Sequence, residues 1–124
     1  MIQPPASTLV TFAREERARR RAAWERGGKG ASELAVQDNI IWSNIEHYMR
    51  VLAGDRRPPQ NWSDDARATM AANVTATLHK ACAAEGQGDM SGKITALRAL
   101  RFALEYPLPY MLAHPVPAQP RKAA

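Results

Sequence analysis

The sequence has little cysteine, few aromatic residues and no long hydrophobic run. Cys82 is the single cysteine in 124 residues, which excludes an intramolecular disulfide framework and is typical of a reducing compartment. No segment approaches the ~18 consecutive apolar residues that a membrane-spanning helix requires. The N-terminal residues also lack the basic-then-apolar order of a secretory signal. We therefore expect a cytoplasmic protein with no membrane partner.

Motifs for catalysis, metal binding and phosphate binding are missing as well. The glycines of residues 27–30 lack the spacing of a phosphate-binding loop. His79 and Cys82 lie three residues apart, but a zinc site needs four ligands and no second pair accompanies them. As a nucleophile, Cys82 lacks an oriented base, so we expect it to be a small buried thiol. We predict a non-enzymatic protein with no catalytic residue, metal or cofactor.

The composition favours an all-α fold. Alanine, the best helix former, is abundant, and β-branched residues are sparse and scattered. The hydrophobic fraction of 45% is ordinary for a globular protein, and 124 residues suit a chain of single-domain size. The net charge of +5 is a mild basic bias, which is compatible with an acidic protein partner or with RNA.

The strongest periodic pattern lies in residues 39–53. Intervals of three and four residues, which place side chains on one face of an α-helix, separate Trp42, Ile45, Met49 and Leu52. Ser32 is placed to cap this helix, and Gly54 is placed to end it. Its buried side is expected to include Leu34, Ile41 and Tyr48.

Residues 9–26 predict an earlier helix with mostly charged side chains. Glu15 and Glu16 each lie four residues before an arginine, which supports a helix by ion pairing. The apolar residues here form no continuous stripe, so we expect this helix to pack weakly or to lie across a partner. Its candidate nucleic-acid-binding residues are Arg14, Arg17, Arg20 and Arg21. The alternative is a solvated helix whose charges bind nothing.

Two further helices and a proline-rich tail complete the prediction. Ser63 is placed to cap the third helix, whose buried stripe comprises Met70, Val74, Leu78 and either Ala81 or Cys82. Ser91 starts the fourth, with an apolar side formed by Ile94, Leu97, Leu100 and Leu104. Pro107 ends it, and the tail is expected to be extended, with residues 110–113 folding back onto the helices as an alternative.

These segments predict a small four-helix bundle. Its parts are a charged N-terminal helix with a glycine-rich joint (1–30), a helical core (31–106) and the proline-rich tail (107–124). Four stretches within residues 12–106 carry a family resemblance: AREERARRRAAWER, QDNIIWSNIEHYM, RRPPQNWSDDARATMAANV and ITALRALRFALEY. Their order resembles the FlaF family of flagellin regulators in α-proteobacteria. The resemblance implies a bacterial cytoplasmic chaperone that binds flagellin, supports its synthesis and secretion, and works beside the RNA-binding regulator FlbT.

Binding of this kind implies that a groove holds the exposed amphipathic helices of a partner protein. The candidate partner-binding residues are Trp42, Met49, Phe102 and Tyr106. The alternative for them is ordinary core, since a helical-period stripe is usually core. Two other functions remain open: a small basic RNA-binding or nucleoid-type protein, for which nucleic acid is the partner, and a structural subunit of a phage or mobile element.

Overall fold

The computed structural model describes residues 4–54 and 62–114, and within them the chain is all-helical, without strands. The all-α prediction is therefore confirmed. A single 3₁₀ turn, Glu85–Gln87, lies between the third and fourth helices. The α-helices in chain order are α1 (Ala6–Arg26), α2 (Glu33–Leu52), α3 (Asp64–Ala83), α4 (Ser91–Glu105) and α5 (Pro107–Ala113). α1 packs mainly against α2, and α3 packs mainly against α4.

Capping chemistry sets both ends of α2 and the start of α3. The hydroxyl of Ser32 accepts a hydrogen bond from the backbone N–H of Ala35 at 3.3 Å. The hydroxyl of Ser63 likewise accepts from the N–H of Ala66 at 3.1 Å, so both predicted caps are confirmed. Just past the end of α2, Gly54 has a φ of +91°, a left-handed conformation that glycine adopts without a Cβ clash.

The predicted core faces of α2, α3 and α4 are confirmed at most positions. The residues named for the main stripe of α2 and for the apolar side of α4 are all buried. Ile41 is only partly buried, and two other positions are exposed. Leu34 is exposed because the first turn of α2 buries Ala35, which lies two turns before Trp42 on the same face. Cys82 is exposed because α3 buries Ala81, and the next residue points about 100° away.

α1 packs more closely than predicted and begins at Ala6 rather than at Leu9. Ala6, Leu9 and Ala13 are buried at helical spacing, and the next position on that face is Glu16, which is also buried. The stripe is therefore continuous in space, but it passes from apolar residues to a carboxylate. A hydrophobicity pattern misses such a stripe, so the expectation of weak packing is wrong.

The segment that follows α4 is helical rather than extended. Pro107 ends α4 as predicted, but it then occupies the first turn of α5, where its fixed φ suits a helix start. The fold-back alternative is confirmed, because Tyr110 is buried and its hydroxyl donates to the carbonyl oxygen of Pro4 at 2.7 Å. Residues 115–124 of the predicted tail lie outside the described residues.

We expect Tyr110→Phe to lower the free energy of unfolding by about 1 kcal/mol, because it removes this hydrogen bond and leaves the Pro4 carbonyl without its partner. Tyr106→Phe is the matched control, since Tyr106 is exposed and its loss of a hydroxyl should change little. Urea unfolding followed by circular dichroism measures both. Equal effects of the two variants would contradict the assigned role of the Tyr110 hydroxyl.

Candidate functional site

The four arginines predicted on α1 lie in different environments, and Arg20 is the least exposed of them. Its Nε donates to Oε2 of Glu16, and its Nη1 donates to Oδ1 of Asp38 on α2, both at 2.9 Å. Its Nη2 donates to the hydroxyl of Thr77 on α3. The guanidinium carbon lies 4.7 Å from the centroid of the Trp42 ring, a cation–π geometry. Because its side chain is only 23% exposed and contacts α1, α2 and α3, Arg20 belongs to the packing of three helices.

Glu16 is the carboxylate that Arg20 shares with two other cations. Nη2 of Arg19 donates to its Oε1 at 2.8 Å, and Nζ of Lys93 on α4 lies 3.5 Å from the same oxygen. Burial raises the pKa of Glu16, but the hydrogen bond from Arg19 and the charges of the three cations outweigh burial. The pKa therefore lies below its ordinary value of 4.5. Glu16 is ionised at neutral pH and links α1 electrostatically to α4.

Arg14 and Arg17 lie farther toward the surface and face Glu46 on α2. Nε of Arg14 is 3.8 Å, and Nη2 of Arg17 is 3.5 Å, from the carboxylate of Glu46, which also pairs with Arg50. The Glu46 side chain is 7% exposed, whereas that of Arg14 is 55% exposed. Three guanidinium groups thus share one buried carboxylate, which leaves a local excess of positive charge.

A cleft of about 280 Å³ lies between the C-terminal half of α1 and the N-terminal half of α2. Arginine and tryptophan side chains line its α1 wall: Arg17, Arg20, Arg21 and Trp24. The α2 wall includes Val36, Asn39 and Ile40, and about half of each of the two apolar side chains is exposed. Arg14, Arg17, Arg21 and Asn39 line a smaller hollow of about 240 Å³ beside it. The two hollows share three lining residues and form one surface.

The candidate partner-binding residues divide between the core and the surface. Trp42 and Met49 are completely buried, so both side chains belong to the core of this fold. The indole N–H of Trp42 donates to Oδ1 of Asn73 at 2.9 Å, which fixes the ring inside the protein. Phe102 is partly buried against the core, and Tyr106 is exposed. Their ring centroids are 5.6 Å apart.

Tyr106 borders an exposed apolar face on α5. Leu108, Met111 and Leu112 have the i, i+3, i+4 spacing of a single helix face, and all three are exposed. Tyr110, on the opposite side of the helix, is buried. We call this set of four exposed residues, Tyr106, Leu108, Met111 and Leu112, the C-terminal apolar surface. Sequence reasoning missed its three α5 members because it treated the prolines as signs of an extended tail, although proline is common in the first turn of a helix.

The described residues lack metal-binding and membrane-spanning features. Residues 4–54 and 62–114 contain no group of three or more His, Cys, Asp or Glu side chains that could hold a metal ion. Within the same ranges, no helix combines the length and the apolar character needed to cross a bilayer. His79 and Cys82, the pair weighed as metal ligands, are both exposed.

Comparisons of the chain with protein-family models, with curated proteins and with solved structures found no significant match. A functional conclusion therefore depends on the two surfaces described above, the cleft between α1 and α2 and the C-terminal apolar surface.

We expect Arg20→Ala to lower the free energy of unfolding by about 3 kcal/mol, because it removes the cation that faces the largely buried carboxylate of Asp38. Arg21→Ala is the matched control. Arg21 pairs with Glu25, and both side chains are exposed. Loss of this ion pair should lower the free energy of unfolding by less than about 1 kcal/mol. Urea unfolding at neutral pH measures the difference. A loss for Arg21→Ala as large as that for Arg20→Ala would contradict the central position of Arg20.

We also expect Glu16→Gln to destabilise the fold in a pH-dependent manner. The lowered pKa of Glu16 means that its charge stabilises the folded state above pH 4.5, and this contribution is lost as pH falls through the folded pKa. The stability difference between the unaltered chain and the variant should therefore be largest near about pH 7 and shrink toward about pH 3. Urea unfolding across this range tests it. A difference that does not change with pH would show that the Glu16 charge contributes nothing.

Proposed function

We propose that this chain is a non-enzymatic, cytoplasmic protein that binds an amphipathic helix of another protein. The observation that carries the proposal is the C-terminal apolar surface, in which three large side chains lie exposed on one face of α5. Clustered exposed apolar side chains are typical of protein-binding sites, and single scattered ones are not. Helix-in-groove binding uses side chains at this spacing.

The packing of α5 supports a rigid presentation of that surface. Tyr110 is buried on the inner side of the helix, hydrogen-bonds to Pro4, and has its ring centroid 6.5 Å from that of Phe102. A surface that is already ordered loses less conformational entropy on binding than a flexible one. In this proposal α1–α4 form a four-helix bundle that serves as the support, and α5 is the docking element.

The proposed partner is a flagellin subunit, as the resemblance to the FlaF family implies. Flagellin's terminal helices expose apolar stripes before assembly, and a small helical protein can cover such a stripe with an apolar face of its own. Met111 suits this role, because the unbranched and polarizable side chain of methionine adapts to differently shaped partners. Leu108 and Leu112 supply larger, better-defined contacts on either side of it.

The experiment measures the affinity of the full chain for purified monomeric flagellin from the source bacterium by isothermal titration calorimetry. Leu108→Ser/Leu112→Ser should weaken binding by at least about 100-fold, since each leucine that the partner buries contributes roughly 1.5–3 kcal/mol. Leu34→Ser is the matched control: Leu34 is 67% exposed, comparable to 64% for Leu108 and 74% for Leu112, but it lies on α2.

Circular dichroism and the unfolding midpoint verify that each variant retains its fold. If the unaltered chain fails to bind monomeric flagellin, the proposed partner is wrong. If the double variant and Leu34→Ser bind flagellin equally well, the C-terminal apolar surface is not the docking site.

A further inference from the structure

A second surface of the molecule, separate from the C-terminal apolar surface, combines positive charge with apolar contact area. It lies across the α1–α2 cleft and comprises three arginines of α1 and three residues of α2. We call it the basic cleft: Arg14, Arg17, Arg21, Val36, Asn39 and Ile40. We propose that the basic cleft binds an acidic amphipathic helix of a partner protein, with apolar side chains on Val36 and Ile40 and carboxylates on the arginines.

The two walls have matching periodicities. Arg14, Arg17 and Arg21 are spaced i, i+3, i+7, so they lie in one row along α1. Val36 and Ile40 are spaced i, i+4 and lie one turn apart on α2. At ~1.5 Å per residue the arginine row spans roughly 10 Å, which is two turns of a helix lying alongside it. A partner helix with carboxylates at the same intervals therefore presents them in register with the row.

The arginines have hydrogen-bonding capacity that the described part of the chain does not use. Arg14 and Arg17 lie 3.8 and 3.5 Å from the Glu46 carboxylate, which are ion-pair distances rather than short hydrogen bonds. Among the described residues, the buried Oε1 of Glu46 has no hydrogen-bond donor. The side chains of Arg14 and Arg17 are 55% and 34% exposed, so N–H groups that make no hydrogen bond within the described residues are accessible to a partner. Guanidinium–carboxylate pairs are often bidentate, which makes a partner carboxylate the best-matched acceptor.

The charge balance also favours an anionic partner. Glu46 is shared among Arg14, Arg17 and Arg50, so three positive charges face one negative charge. Arg21 pairs with Glu25 at 3.4 Å, but both side chains are exposed, and such pairs exchange partners at little cost. An acidic helix would relieve the repulsion among the guanidinium groups.

The apolar wall distinguishes a protein helix from a nucleic acid. Val36 and Ile40 are each about half exposed, and they offer no donor to a phosphate. A nucleic acid would leave the apolar wall uncovered, whereas an amphipathic helix covers it and satisfies the arginines together. The contacts therefore favour an acidic protein helix over RNA.

The test uses a fluorescent 18-residue helical peptide with leucine on one face and glutamate at i, i+3 and i+7 beside it. A matched peptide carries glutamine in place of each glutamate. Fluorescence anisotropy with the full chain should show binding of the glutamate peptide that weakens as salt rises. The glutamine peptide should bind about tenfold more weakly, as expected for the loss of several exposed ion pairs.

Two variants test the two walls separately. Arg17→Gln/Arg21→Gln should weaken the glutamate peptide about tenfold and leave the glutamine peptide unchanged. Val36→Ser/Ile40→Ser should weaken both peptides, because it alters the apolar wall that both contact. Arg98→Gln is the control for a charge lost elsewhere, since Arg98 is exposed on α4, and it should leave both affinities unchanged. Unfolding midpoints verify that every variant is folded.

Leu108→Ser/Leu112→Ser should bind the glutamate peptide normally, which separates this inference from the proposed function of the C-terminal apolar surface. Equal binding of the two peptides, or no binding of either, would overturn the inference. A single-stranded RNA oligonucleotide provides the last comparison. If the chain binds that RNA more tightly than the glutamate peptide, and Arg17→Gln/Arg21→Gln abolishes this binding, the basic cleft is a nucleic-acid site instead.

Discussion

The position of α1 depends on the guanidinium group of Arg20. It hydrogen-bonds to a carboxylate on its own helix, to Asp38 on α2 and to Thr77 on α3, and it lies against the Trp42 ring. A carboxylate that loses water on folding requires a charged partner to offset the cost of desolvation. Because the Arg20 guanidinium pairs with carboxylates on α1 and α2 and hydrogen-bonds to α3, it links the three helices. The charged first helix is thereby part of the core.

This placement of Arg20 determines what the other arginines of α1 can do. With the Arg20 face turned inward, Arg14, Arg17 and Arg21 lie along the outer edge of the α1–α2 contact. The buried carboxylate of Glu46 pairs with Arg14 and Arg17. Its single negative charge does not neutralise the positive charge of the arginines. Arg20 has a structural role, and Arg14, Arg17 and Arg21 lie at the surface. The difference follows from their positions around α1, because the residue type is the same.

Sequence reasoning succeeded where the structure follows local rules. The α2 stripe from Trp42 to Leu52 and the caps at Ser32 and Ser63 depend on spacing and on hydrogen bonds between near neighbours. It failed for α1, whose buried face continues from Ala13 into Glu16, because the local pairs of Glu16 with Arg19 and Arg20 are equally compatible with a solvated helix, and only the packing of the other helices buries the carboxylate.

Sequence periodicity also could not locate the exposed apolar surface. A buried stripe and a docking stripe have the same spacing, so Trp42 and Met49 could not be assigned to core or surface before the helices were packed. Of the four candidate partner-binding residues, only Phe102 and Tyr106 lie beside exposed apolar side chains. The hydrogen bond from Tyr110 to Pro4, in turn, joins residues 106 positions apart. The contact that holds the C-terminal apolar surface in place can therefore form only after residues 4 and 110 have both left the ribosome.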